Sequence, residues 1–126
     1  MHLVTQFYAD NADFFDPVIA IQGASDIEKY YRGLYENVEE IKFEFSEFIE
    51  TTGLVAAPWI MHVQAKNLNK GQKVSVAGIS HIQFDTNTDK VVYHRDYFDM
   101  GAFVYEHVPI LGMAIRYIKR QMHKIE

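Results

Sequence analysis

The run Lys90–Met100, KVVYHRDYFDM, packs an imidazole, three phenyl-bearing side chains, a guanidinium and carboxylates into one strand-like stretch. Side chains alternate faces along a strand, so His94, Asp96 and Phe98 share one face while Tyr93, Arg95, Tyr97 and Asp99 share the other. An imidazole beside a carboxylate can give and take protons if its face lines a cavity. If that face meets water, the same pair is ordinary strand surface. A second carboxylate, Asp16, stands in Phe14-Phe15-Asp16-Pro17. Apolar walls such as Phe14, Trp59, Met61 and Val63 would raise a carboxyl pKa and make the group a usable base near neutral pH. The plainer readings are that Asp16 caps a turn ahead of Pro17, Asp96 pairs with an arginine, and His94 bonds to a neighbour or to solvent. Tyr8 is a spare hydroxyl donor.

These groups need elements to position them. Leu3, Val4, Phe7 and Tyr8 recur at helical spacing, which predicts a short helix over residues 2–9 ending at Asp10–Asn11. Phe14 to Ile19 reads as extended, because a residue before proline is pushed out of the helical region. Ser25 with Glu28 is a capping box, and Ile27, Tyr30, Tyr31, Leu34, Tyr35 and Val38 form the apolar face of a helix over 26–38. Ile41, Phe43 and Phe45 alternate, but Phe48 breaks the parity, which calls for a bulge near Ser46–Glu47. Thr51-Thr52-Gly53 is a turn. Leu54–Lys66 is a long strand in which Pro58 marks an edge or a bulge. Asn67–Gly71 turns the chain into Lys73–Phe84, and Asp85–Asp89 turns it into the strand that carries His94. Long strands joined by tight turns imply an antiparallel sheet. Val108, Leu111, Ile115, Ile118, Met122 and Ile125 draw one stripe along a terminal helix, with Pro109 in its first turn and Arg116, Lys119, Arg120 and Lys124 towards its C-terminus. That stripe suits packing on the sheet or on a second subunit, or lidding a cavity mouth.

Composition narrows the class. With 126 residues, 48% hydrophobic and 14% aromatic, the chain is the size of one globular domain, spanning 1–126. It has no cysteine, so disulfides, thiol nucleophiles and zinc–thiolate sites are excluded, in keeping with a reducing compartment. A net charge of −5 disfavours non-specific nucleic-acid binding. No apolar run is long enough to span a membrane, and the start lacks a signal-peptide pattern, so a cytoplasmic location is expected.

The element order, together with Phe14-Phe15-Asp16-Pro17, Gly23 ahead of a helix, Gly53-Leu54-Val55 and His94-Arg95-Asp96-Tyr97-Phe98-Asp99, resembles the nuclear transport factor 2-like superfamily. It is most similar to the SnoaL-like branch, with polyketide cyclases, limonene epoxide hydrolase and ketosteroid isomerase. The resemblance covers nearly the whole chain. It implies an α+β fold in which a curved antiparallel sheet wraps around helices to form a cone with an internal pocket, plus a C-terminal helix. It also implies homodimers formed through the sheet. Asp16 matches the isomerase's proton-shuttling carboxylate, but the isomerase's second aspartate falls on Ser80 and its tyrosine before residue 1. Asp96 matches a catalytic aspartate of the epoxide hydrolase, but that enzyme's arginine and second aspartate fall on Trp59 and Met61. No single known activity transfers intact, and fold alone does not license a reaction. With Trp59, Met61 and Ser80 pointing inward, alternation sends His62 and His81 outward, so these histidines do not converge with His94 on a metal.

Two readings follow. The first is a small-molecule acid/base enzyme without metal or redox cofactor, doing isomerase, cyclase or lyase-like chemistry on an apolar carbonyl or epoxide compound. Asp96 would be the principal acid/base group, Asp16 the second carboxylate and His94 the proton partner or oxyanion donor, with Tyr8, Phe14, Tyr31, Trp59, Met61, Ser80 and Phe98 lining the ligand pocket. The second is a non-catalytic ligand-binding or dimerisation module on the same fold.

Overall fold

The strand-like runs after residue 40 assemble into one sheet around a helix. The computed structural model describes residues 6–36, 38–66, 68–103 and 109–125. The elements are β1 (Tyr8–Phe15), β2 (Ala20–Gln22), α1 (Ala24–Glu36), β3 (Glu40–Phe45), β4 (Ile49–Thr51), β5 (Leu54–Gln64), β6 (Val74–Phe84), β7 (Val91–Phe98), α2 (Met100–Phe103) and α3 (Pro109–Ile125). The curved, unclosed seven-stranded sheet has the order β2-β1-β7-β6-β5-β3, with β4 also paired to β5. The fold is α+β, as expected from the order of elements.

Three expectations need correction. Helix is described only at Gln6–Phe7, and Tyr8 already belongs to β1, paired with Val91; residues 2–5 lie outside the described residues. Sheet pairing here overrides a local helical pattern. The sheet is also not wholly antiparallel, because β1 runs parallel to β7, with Phe14 opposite His94. The long excursion through α1 and β3–β6 supplies the crossover that a parallel pair requires. Finally, α1 starts at Ala24 rather than 26. The Gly23 carbonyl accepts the Ile27 N–H at 3.0 Å, so Ser25 lies inside the first turn. Gly23 has φ +97°, and a Cβ there would meet the Asp10 carbonyl, so glycine suits this entry to the helix. Residue 108 of the expected terminal stripe lies outside the described residues, and the short α2 was not foreseen.

The break after β3 falls where the parity change demanded a bulge. β3 ends with Phe45 opposite Trp59, and β4 resumes with Ile49 opposite Ala56. Pro58 faces this gap: its carbonyl accepts Ser46 N–H at 3.3 Å. A strand residue's N–H and C=O point the same way, so the proton that proline lacks is missing where the neighbouring strand is already interrupted. A second bulge lies in β7, where Val91 opposes Phe84 and Tyr93 opposes Gln83. The extra residue lets both Val91 and His94 turn inward, despite their odd spacing.

Two apolar clusters result. Tyr8, Ala12, Phe14, Ala24, Ile27 and Val91 join β1, α1 and β7, while Trp59, Met61, Val63, Val74 and Val76 join β5 and β6. The described side chains leave a space between them.

Candidate functional site

A cavity of about 1050 Å³ opens between α1 and the concave face of the sheet. Each residue singled out from sequence lines it: Tyr8, Phe14, Asp16, Tyr31, Trp59, Met61, Ser80, His94, Asp96 and Phe98. Strand alternation puts Trp59, Met61 and Val63 of β5 and His94, Asp96 and Phe98 of β7 on this concave side. His62 points outward, bonded to Ser75 Oγ and Glu44, and His81 packs on the outer Tyr93 ring at 5.3 Å. Among the described residues, no group of His, Asp or Glu is arranged to hold a metal ion.

The polar groups form one continuous line within largely aromatic walls. Trp59 Nε1 donates to Ser80 Oγ at 2.8 Å, and Ser80 Oγ donates to Asp96 Oδ1 at 2.5 Å. His94 Nε2 lies 2.7 Å from the same oxygen. The Tyr8 hydroxyl lies 2.6 Å from His94 Nδ1, and the Tyr31 hydroxyl 3.4 Å from that of Tyr8. The indole can only donate, so Ser80 must spend its own proton on Asp96. An ionised Asp96 can only accept, so Nε2 carries a proton, and a neutral His94 then accepts from Tyr8 at Nδ1. From Tyr31 to Tyr8 to His94 to Asp96, each group donates to the next.

Burial holds this line in place. Tyr8, Ser80 and His94 are all buried, whereas the Asp96 side chain keeps 20% of its surface exposed, so a ligand in the cavity can reach it. The His94 ring stacks on Tyr8 at 5.9 Å and meets Phe14 edge-on at 4.9 Å. Burial pushes the Tyr8 hydroxyl up to about 12; the bond from Tyr31 works against this, and the charge of Asp96 adds to it. Tyr31 is raised chiefly by burial and then by Tyr8, and Tyr30 by burial and then by its bond to Asp16. All three phenols are therefore neutral donors at physiological pH.

Asp16 is differently placed. Its Oδ1 accepts the backbone N–H groups of Val18 at 2.8 Å and Ile19 at 2.9 Å, and its Oδ2 accepts the Tyr30 hydroxyl at 2.6 Å. It borders the cavity as a turn cap clamped to α1, which is the plainer of the two readings the sequence allowed. Asp96 pairs with His94 rather than with an arginine. Arg95 is turned to the other face, 4.3 Å above the Phe15 ring. Sequence reasoning noted Tyr30 only as an aromatic and missed its clamp on Asp16. The adjacent phenols Tyr30 and Tyr31 on one helix face were the available signal. The hydroxyl of Tyr8 was named, but not its bond to His94, because that contact depends on the parallel β1–β7 pairing.

A family model for the SnoaL-like domain matches residues 1–94. No curated protein matches the chain. Among solved structures, a hypothetical protein from Catenulispora acidiphila with a ketosteroid isomerase-like fold, bound to trimethylamine, superposes with a TM-score of 0.70 at 13% identity, covering 80% of this chain and 75% of that one. A candidate SnoaL-like polyketide cyclase from Shewanella putrefaciens gives 0.67 at 20% identity over 78% and 76%. AclR, a candidate hydroxylase from Streptomyces galilaeus, gives 0.60 at 17% over 75% and 73%. At such identities the likeness is one of fold.

Proposed function

This chain belongs to the SnoaL-like domain family, and we propose that it is an acid/base enzyme acting on an apolar small molecule that bears a carbonyl or an epoxide, with isomerase-, cyclase- or lyase-like chemistry. The observation that carries this reading is the buried line from Tyr8 through His94 to Asp96, ending on a carboxylate that a ligand can reach. The bonds from Ser80 and His94 both fall on Oδ1. No bond from a described residue falls on Oδ2, which can take a proton from a carbon next to a substrate carbonyl and return it elsewhere. His94, its tautomer set by the acceptor Asp96 and its ring held by Tyr8, fixes the carboxylate's orientation. Tyr31, kept protonated by burial and only 3.4 Å from the Tyr8 hydroxyl, is the helix-side hydroxyl that can turn to meet a developing oxyanion, whereas the proton of Tyr30 is committed to Asp16. Asp16 acts by positioning Tyr30 rather than by moving protons. An apolar ligand and a second copy of the chain are the expected partners.

The test uses an enolisable bicyclic ketone, 2-tetralone, in deuterated buffer, with exchange at its α-carbon followed by NMR. The native chain should accelerate exchange above buffer, and Asp96→Asn should lower the acceleration by roughly 10²–10⁴-fold, the usual worth of a positioned general base. Binding of the ketone without any acceleration would favour the second reading, a ligand-binding module. That reading draws on the saturation of Asp16, which leaves one available carboxylate where the isomerase resemblance implies a fuller set.

A further inference from the structure

We propose that the outer face of β7 carries a second small-molecule site, in which the Arg95 guanidinium binds the carboxylate of an amphipathic organic acid. This does not depend on the catalytic reading. β1 pairs with β7 as far as Phe15, opposite Arg95. Beyond that pair the chain turns away, and a groove of about 510 Å³ lies between the turn and the end of β7. Its walls include Phe15, Pro17, Val18, Ile19, Arg95 and Tyr97. The guanidinium lies 4.3 Å from the centre of the Phe15 ring, with the Tyr93 and Tyr97 rings each at 6.0 Å. Both cross-strand neighbours of Arg95, Phe15 on β1 and His81 on β6, lack a carboxylate. Among the described residues no acid forms an ion pair with Arg95. Its Nε is buried with no acceptor. A half-buried guanidinium without an acid is unexpected in a chain with 17 acids and 12 bases, because a charge withdrawn from water is ordinarily paired.

The surroundings decide what fits. Aromatic rings hold the planar guanidinium by its faces and leave its edge as a fork that matches the two oxygens of a carboxylate. No second cation is among the described residues of the groove wall. The backbone donors of the turn are already used: Asp16 N–H bonds to the Ile19 carbonyl, and Val18 and Ile19 N–H bond to Asp16 Oδ1. One fork and one charge suit a carboxylate, whereas a phosphate dianion would lack donors. Two acids, Asp16 and Asp96, border the groove as well as the main cavity. Asp16 bonds to its own turn and to Tyr30, and Asp96 bonds to Ser80 and His94 on the concave side. Their charge selects against a second anionic group on the ligand. The remaining wall is apolar, with Val18 70% and Tyr97 49% exposed, so a hydrocarbon body can cover both. Apolar walls around one placed polar group are the usual makeup of a ligand site.

Hexanoate titrated into the isotope-labelled full chain tests this by NMR, with hexanol and acetate as controls. The Arg95 Nε–H signal and the Val18 and Tyr97 amides should shift saturably with hexanoate. Hexanol, which lacks the charge, and acetate, which lacks the tail, should bind more weakly. Arg95→Gln should weaken hexanoate binding about tenfold or more, as loss of a charged hydrogen-bond partner does. Val18→Glu, on the exposed wall, should weaken it by repulsion, while Val18→Gln should keep most of it. Circular dichroism checks each fold, and if Arg95→Gln does not fold, the Val18 pair decides. Ketone exchange should be unchanged in Val18→Glu, so this site and the proposed reaction can fail separately. The proposal is overturned if no saturable shift appears, if hexanol binds as tightly as hexanoate, or if binding survives Arg95→Gln. Shifts confined to the main cavity, such as the Trp59 indole, would overturn it too, because the acid would then occupy the apolar space on the concave side.

Discussion

At the scale of single residues, the phenols tie the site to stability. Tyr8 is buried, and its hydroxyl is pushed up to about 12 from an ordinary value of 10. Because the folded chain holds this proton more tightly than the unfolded chain, the associated stability is fully present below pH 10 and is lost as pH rises from 10 to about 12. A shift of this size is worth about 3 kcal/mol, and Tyr30 and Tyr31, also raised, add to the slope. Urea midpoints measured from pH 8 to 12 should therefore fall steeply above pH 10. Tyr8→Phe should flatten that fall while lowering stability at pH 7 by about 1–3 kcal/mol, since it leaves the His94 Nδ1 acceptor buried without its donor. The same substitution should reduce ketone exchange less than Asp96→Asn does, because in the proposed mechanism Tyr8 orients the imidazole while Asp96 meets the substrate. An unchanged alkaline slope in Tyr8→Phe would show that Tyr8 is not the group responsible.

At the scale of elements, the site depends on cross-strand pairs. Trp59 of β5 lies directly opposite Gly78 of β6, and a Cβ at Gly78 would run into the indole ring. The missing side chain makes room for the ring that holds Ser80, which in turn holds Asp96. Gly78→Ala should cost about 1–3 kcal/mol by overpacking. It should also shift the fluorescence of the single tryptophan and slow ketone exchange without touching a polar atom. Thermal melts and emission spectra check the first two effects; an unmoved spectrum would mean that the ring rotates away at no cost. Much of this was legible in the sequence. Strand alternation alone placed His94, Asp96 and Phe98 on one face, and the Phe45–Phe48 parity break with Pro58 located the β3–β4 interruption. What was not legible came from contacts distant along the chain. Tyr8 looked helical because its local neighbours did, whereas its place in β1 is set by Val91, and the inward turn of Val91 depends on a bulge that no residue pattern announces. The turn-capping role of Asp16 was readable from Asp-Pro, but only the packing of α1 supplied Tyr30.

At the scale of the whole molecule, the cavity separates the two apolar clusters, and both contribute to its walls: Tyr8 and Phe14 from one, Trp59, Met61 and Val63 from the other. A ligand filling it would bridge halves that are otherwise joined by the sheet and would stabilise the folded state by mass action. A ligand present at a hundredfold its dissociation constant adds about 2.7 kcal/mol if it does not bind the unfolded chain. Thermal melts with a graded series of aromatic ketones should therefore rise with ligand concentration, and more for two-ring than for one-ring compounds, since a volume of about 1050 Å³ exceeds what one ring can fill. The shift should survive Asp96→Asn, because binding draws on the apolar walls, whereas Met61→Trp, which fills the space, should abolish it. If no compound in the series moves the melt, the space does not take aromatic ketones, and the proposed carbonyl chemistry loses its substrate class.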